Sequence, residues 1–111
     1  MMTGNDLFNA LNLMAKMVSD IHNGTEFVEV STYVKNNIPN LSPSVIEMFR
    51  DIIYPIQHKI FHKGRYEVIG RVGDLDVIKK SGLDSTFAAE QFIEDKTEEG
   101  FKNIAWRIYY R

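Results

Sequence analysis

His58 and His62 lie four residues apart, the spacing that puts two imidazoles on one face of a helix, where they could share a metal ion. No HExxH pattern surrounds them, and the hydrophobic period is changing from helix to strand at that point. They read as surface histidines beside a turn, with no metal and no other cofactor implied. Asp74 and Asp76 form a close carboxylate pair, but they flank what reads as an exposed hairpin tip. Exposure leaves nothing to drive their pKa values apart into acid and base roles. The chain of 111 residues contains no cysteine, which removes thiol nucleophiles, zinc ribbons and disulfide scaffolds together. Nucleophile elbows, P-loops and dinucleotide fingerprints are absent as well. The expectation is a protein that is not an enzyme.

The chemistry left is that of contact, carried by arginine, lysine and tyrosine. The overall balance, 13 Lys plus Arg against 15 Asp plus Glu, hides an uneven distribution. Residues 1–57 hold three cations and six carboxylates, residues 58–80 hold six cations and three carboxylates, and residues 81–111 hold four and six. The middle segment is therefore basic between two acidic ones. Within it and the last stretch of chain, Arg65, Arg71, Lys79, Lys80, Arg107, Tyr109 and Arg111 are the candidate binding residues. Guanidinium groups beside an aromatic ring on a sheet can grip phosphates and stack a base, and they can equally dock an acidic protein surface.

Those residues need strands to position them. From Arg65 the apolar period is two: Tyr66, Val68 and Val72 alternate with Arg65, Glu67 and Arg71. Gly73 and Asp74 supply a two-residue turn into Leu75 and Val77, giving a hairpin with strands over 65–72 and 75–80. Residues 102–111 alternate again, with Ile104, Trp106, Ile108 and Tyr110 on one side and Ala105, Arg107, Tyr109 and Arg111 on the other. Between them Ser85 can cap a helix running to about residue 96, with Ala88, Ala89, Phe92 and Ile93 inward. The second half is thus β-β-α-β with a three-stranded sheet. One face should hold Tyr66, Val68, Val72, Leu75, Val77, Ile104, Trp106 and Ile108 against the core. The other should show Arg65, Arg71, Lys80, Arg107 and Arg111 around Tyr109, against Glu67 and Asp76.

The first half reads as helical. Leu7, Leu11, Met14, Val18 and Ile21 mark a helix over 6–22, stopped by Asn23 and Gly24. A short strand at 27–30 competes with a helix there, and a short helix over 30–36 is the reading taken. Pro43 at a first helical position opens a third helix with Val45, Phe49, Ile52, Ile53 and Ile56 inward, which Pro55 should end or kink. The order helix, short strand, helix, helix, hairpin resembles that of a winged-helix domain, which would make residues 42–54 a recognition helix and residues 65–80 the wing. Glu47 and Asp51 on that helix would repel phosphate.

The run 68–73, with Gly70, Arg71, Val72 and Gly73, also looks like the GxxG loop of a KH domain, which clamps a nucleic-acid backbone. Only one of the two middle residues is basic, and Asp74 and Asp76 follow where phosphates would pass. The same glycines, followed by Ala89, Phe92, Lys96, Thr97, Gly100 and Phe101, are similar to the tail of a WGR domain, although Ile69 stands where that pattern has tryptophan. Strand twist and turn geometry account for both glycines without either family.

The sequence therefore predicts an α+β protein, residues 1–111 forming a single compact domain with a helical half over about 5–57 and a sheet-plus-helix half over about 65–111. The start of the chain has no basic flank before its apolar stretch, and Asn9, Asn12 and Lys16 interrupt that stretch. No signal peptide or membrane span is expected, and the location expected is cytoplasmic. The expected function is regulatory binding of an acidic protein through the basic hairpin and sheet face, with nucleic acid as the second choice, by a monomer or a homodimer.

Overall fold

The computed structural model describes residues 4–60 and 65–111, so His62 and Lys63 lie outside the described residues. The chain order is α1 (Gly4–His22), β1 (Thr25–Glu26), α2 (Val30–Asn37), α3 (Pro43–Ile60), β2 (Tyr66–Val72), β3 (Leu75–Leu83), α4 (Thr86–Glu98) and β4 (Ala105–Tyr110). The α+β class holds, with four helices and one four-stranded antiparallel sheet of order β1-β3-β2-β4 among the described residues. Three strands were expected. The fourth is β1, which sets Thr25 opposite Lys80 and Glu26 opposite Lys79; two residues are too few for alternation to reveal a strand. No described helix is long and apolar enough to cross a membrane.

Helix α1 shows how the core selects between two admissible stripes. Its buried residues are Ala10, Leu13, Met17 and Ile21. Leu7 and Leu11, expected inside, point outward, Leu11 with 72% of its surface exposed. Both sets obey helical spacing, and small Ala10 gives little hydrophobic signal, so composition favoured the wrong stripe. Helix α3 begins at Pro43 as expected and buries Ile46, Phe49, Ile53 and Gln57. It does not end at Pro55. That residue is exposed, its missing donor leaves no buried gap, and the helix runs on to Ile60.

The central core joins these helices to β3. Phe27, Tyr33, Phe49, Met17, Ile21, Ile53, Val77 and Ile78 are all essentially inaccessible. Three rings run through it: Phe27 and Tyr33 lie 4.7 Å apart by centroid, and Tyr33 and Phe101 5.0 Å. Side-chain oxygens tie the segment after β1 to α3. Gln57 Oε1 accepts the Phe27 N–H, while Tyr54 Oη accepts from the Val30 N–H and donates to the Val28 carbonyl, each at 3.2 Å. These bonds satisfy backbone groups that neither helix nor sheet could pair.

Two irregularities in the β2–β3 pairing decide which way the hairpin side chains point. Val72 faces Leu75 across the expected tight turn, but Arg71 pairs with Asp76 and Gly70 with Ile78, so β3 carries one extra residue there. A second extra residue lies between the pairs Val68–Lys80 and Tyr66–Leu83. Each inserted residue shifts the phase of the strand beyond it.

Candidate functional site

Registers assign the sheet's two faces. Residues directly opposite on paired antiparallel strands share a face. Val68 pairs with both Lys80 and Ile108, and Gly70 with both Ile78 and Trp106, so these lie on one side. Helix α4 packs there, its Phe92 ring perpendicular to Trp106 at 6.0 Å. The other face, called the Arg107 face below, takes Glu67 with Tyr109, Ile69 with Lys79 and Arg107, and Arg71 with Asp76. Gly70 is fixed by the packing between them, since a Cβ on it would meet Ile104 Cγ2 at 2.7 Å and Trp106 Cζ3 at 2.8 Å.

Five of the seven residues expected to bind come together on the Arg107 face: Arg71, Lys79, Arg107, Tyr109 and Arg111. Lys80 does not. The extra residue opposite Gly70 and Arg71 moves it to the α4 side, where its ammonium sits 5.7 Å from the Phe92 ring. Burial there, with help from Lys96, pulls its pKa below the usual lysine value. Arg65 precedes β2 and is engaged with Tyr110, donating from Nη1 to Tyr110 Oη at 2.6 Å.

Glu67 is the hub of the Arg107 face. Its carboxylate is buried, accepts from Arg111 Nη2 at 2.9 Å and from Ser81 Oγ at 3.3 Å, and lies 3.7 Å from Lys79 Nζ. Lys79 also reaches Glu26 Oε2 at 3.5 Å. Arg111, held by Glu67, has its pKa raised, and its guanidinium stands 5.3 Å from the centre of the Tyr109 ring. Arg71 is paired with Asp76 at 2.8 Å and donates to the Asp74 carbonyl. Arg107 is exposed and has no ion-pair partner among the described residues. The face thus sets Arg71, Lys79, Arg107 and Arg111 against Glu26, Glu67 and Asp76, a more balanced surface than the sequence promised.

Sequence reasoning missed a second charged cluster, between α1 and α4. Lys96 is only 3% exposed, and its ammonium bonds Asp20 Oδ2 and lies 3.4 Å from Glu99 Oε2. Lys16 bridges the same two carboxylates, at 2.8 Å from Glu99 and 3.5 Å from Asp20. Rings line the site, with Lys96 Nζ 5.5 Å from the Phe92 centroid and 5.4 Å from that of Phe101. Gly100 makes this possible. Its φ of 97° ends α4 in a left-handed turn, and the Phe101 N–H returns to the Lys96 carbonyl, which swings the Phe101 ring into the core. Partial burial works against both charges, yet the hydrogen bond between Lys16 and Glu99 and the surrounding opposite charges win, so Glu99 is lowered and Lys16 raised. Burial, then Asp20 and Glu99, pushes the Tyr33 phenol up. The Lys16–Asp20 spacing was visible in the sequence; nothing there linked it to Lys96.

The catalytic arrangements considered from sequence gain little. His58 is exposed, on a cleft of about 430 Å³ also lined by Glu26, Tyr54 and Gln57. Tyr54 and Gln57 already spend their oxygens on backbone groups. Among the described residues no three His, Asp or Glu side chains are grouped to hold a metal ion. Comparison with protein-family models, curated proteins and solved structures finds no match.

Proposed function

We propose that the protein is a non-enzymatic regulatory binding module that docks an acidic protein surface through Arg71, Arg107, Tyr109 and Arg111, with Lys79 alongside. The observation that carries this reading is exposed Arg107, free of ion pairing among the described residues, between an arginine held on a tyrosine ring and an arginine at a hairpin tip. A guanidinium offers a planar fork of donors that matches a carboxylate, so an uncommitted one is ready to pair. The mixed charge of the face favours protein over nucleic acid. A phosphate backbone presents uniform negative charge and would meet Glu26 and Asp76 as well as the arginines, whereas a protein can place a carboxylate opposite Arg107 alone.

Nucleic acid is the second reading, supported by topology. The order α1-β1-α2-α3-β2-β3, with β1 pairing β3, resembles a winged-helix domain with the β2–β3 hairpin as wing. Against it, α3 exposes Glu47 and Asp51 with a single cation between them, Arg50, beside Met48 and Ile52, a net acidic and partly apolar surface. The test uses a polyglutamate peptide and mixed single- and double-stranded oligonucleotides at low salt, with wild-type protein and the Arg71→Glu plus Arg107→Glu variant. Peptide binding lost in the variant, with no oligonucleotide shift, supports the protein reading. An oligonucleotide shift lost in the variant replaces it with the second, and no binding of either probe overturns both.

A further inference from the structure

The sheet ends in two unlike edges. On one side β1 is only two residues long, with Lys79 and Glu26 paired beside it; on the other β4 runs six residues, Ala105–Tyr110, with no proline or glycine and with Arg107 as its one charged side chain. Its apolar residues stand in the open: Ile108 is 37% exposed, Tyr109 36% and Tyr110 62%. Native edges are usually shortened, bulged, covered or charged against pairing with another strand. The β2–β4 register runs without a shift from Tyr66–Tyr110 to Arg71–Ala105, so β4 has no bulge to twist it away.

Which backbone groups face outward follows from one bond. The Arg111 N–H donates to the Arg65 carbonyl, and in an antiparallel ladder hydrogen-bonded pairs alternate. Residues 105, 107, 109 and 111 therefore turn their N–H and C=O toward β2, and Trp106, Ile108 and Tyr110 turn theirs outward. We propose that a second copy of this chain pairs there, β4 against β4 in antiparallel fashion about a two-fold axis through Ile108, making one continuous sheet from the two molecules.

The side chains select that axis. A two-fold perpendicular to the sheet keeps each face continuous, so only residues of the same face can stand opposite one another. Centred on Arg107, the pairing would set Arg107 against its own copy; centred on Tyr109, it would set Arg107 against Arg111. Like charges directly opposite destabilise a strand pair. Centred on Ile108, every pairing is compatible. Ile108 meets Ile108, Trp106 meets Tyr110 on the α4 side, Arg107 meets Tyr109 on the other, and Ala105 meets Arg111. The outward groups of Trp106, Ile108 and Tyr110 find their partners in that register. A strand-edge contact of this length is small for an interface, so association in the micromolar range, a Kd of about 1–100 µM, is expected.

Sedimentation velocity over a rising concentration series tests the proposal. The wild-type chain should pass from monomer to dimer. Ile108→Pro removes an outward N–H and leaves the β2–β4 ladder intact, so it should stay monomeric with its circular dichroism unchanged. The chain has no cysteine, so a single introduced thiol reports the register by oxidation. Ile108→Cys, on the axis, should give covalent dimer faster than Arg107→Cys. A wild-type chain that stays monomeric throughout, a dimer that survives in folded Ile108→Pro, or faster cross-linking of Arg107→Cys would each overturn the proposal. If Ile108→Pro loses its fold, Ile108→Lys, which sets like charges on the axis at a partly exposed site, takes its place on the same criteria.

Discussion

The molecule carries two clusters of interleaved charge, and they are built in opposite ways. Between α1 and α4, Lys16, Asp20, Lys96 and Glu99 form a closed set of two cations and two carboxylates, with Lys96 sunk among Phe92 and Phe101. On the Arg107 face, the Arg71–Asp76 pair leaves each side chain more than two-fifths exposed, and Arg107 takes part in no pair among the described residues. A buried charge is tolerated only when fully compensated, so the first cluster is fixed and joins two helices far apart in the chain. Exposed pairs contribute between about 0 and 1 kcal/mol each and exchange readily with a partner's groups. The first arrangement suits a clamp and the second suits a contact surface.

Breaking the clamp should give the largest effect. Lys96→Ala removes the buried cation and its packing against two rings. It should cost about 3 kcal/mol in urea denaturation, the low end for a broken buried pair, because Lys16 still holds both carboxylates. Lys96→Met with Asp20→Asn removes the buried cation and its main counter-charge at nearly unchanged volume, so it should recover most of that loss. A double variant no more stable than Lys96→Ala would show that the charges themselves are needed.

Gly70→Ala probes the opposite side of α4 without touching any charge. The new methyl group would collide with Ile104 and Trp106, both side chains that can shift, and overpacking of this kind costs about 1–3 kcal/mol. Because the strain falls on the β4 seam, hydrogen exchange at Arg107 and Tyr109, whose N–H groups turn toward β2, should quicken before exchange in α1 or α3 does. Uniform quickening would mean that β4 and the helical core open together.

These two sites also show what could be read from the chain and what could not. The helix near 30–36, the start of α3 at Pro43, the Ser85 cap and the hairpin turn at Gly73 rest on local chemistry, and local chemistry was legible, whereas the run of α3 past Pro55 was not; Ser85 Oγ accepts the Ala88 N–H at 3.1 Å as expected. The position of Lys80 was not, because one extra residue in β3 reverses the phase of the side chains from Ile78 to Lys80 and no residue type announces that insertion. The α1–α4 clamp was equally hidden. Asp20 and Lys96 are 76 positions apart, and only the turn at Gly100 brings the ring of Phe101 and the Lys96 ammonium together. Arg71, Arg107, Tyr109 and Arg111 were found because alternation within β2 and β4 is undisturbed up to their shared register.

Acid should weaken the clamp by a smaller amount. Glu99 in the folded chain titrates below its ordinary value of 4.5, so its contribution is present above that value and disappears as pH falls through the folded pKa. Lys16 is raised above 10.5, and its contribution is full below that value and lost as pH rises past it. Tyr33 acts in the same alkaline direction, since its phenol resists ionising in the fold but ionises freely above its ordinary value of 10.0 once unfolded. Glu99 is partly solvent-exposed, so less than about 1 kcal/mol should ride on the acid limb. Urea midpoints measured from pH 3 to 7 should rise through the acid range. Glu99→Gln should flatten that rise, and an unchanged profile would remove Glu99 from the clamp.

The smallest stability effect belongs to the residue on which the proposed function depends most. Arg107→Glu changes an exposed side chain with no described ion pair, and such substitutions shift stability by no more than about 0.5 kcal/mol. Its urea midpoint should therefore match the wild type while polyglutamate binding is lost, a separation that no residue of the α1–α4 clamp can show. Arg71→Glu should behave less cleanly, because it also sets a carboxylate against Asp76 at the hairpin tip. Salt distinguishes surface from clamp in the same way. Raising it through the Debye range should weaken peptide binding to the wild-type face and leave the Lys96 contribution to stability nearly unchanged, because ions cannot reach a site that is almost wholly covered. If Arg107→Glu lowers the urea midpoint as much as Lys96→Ala does, the two clusters share one structural task and the contrast between them fails.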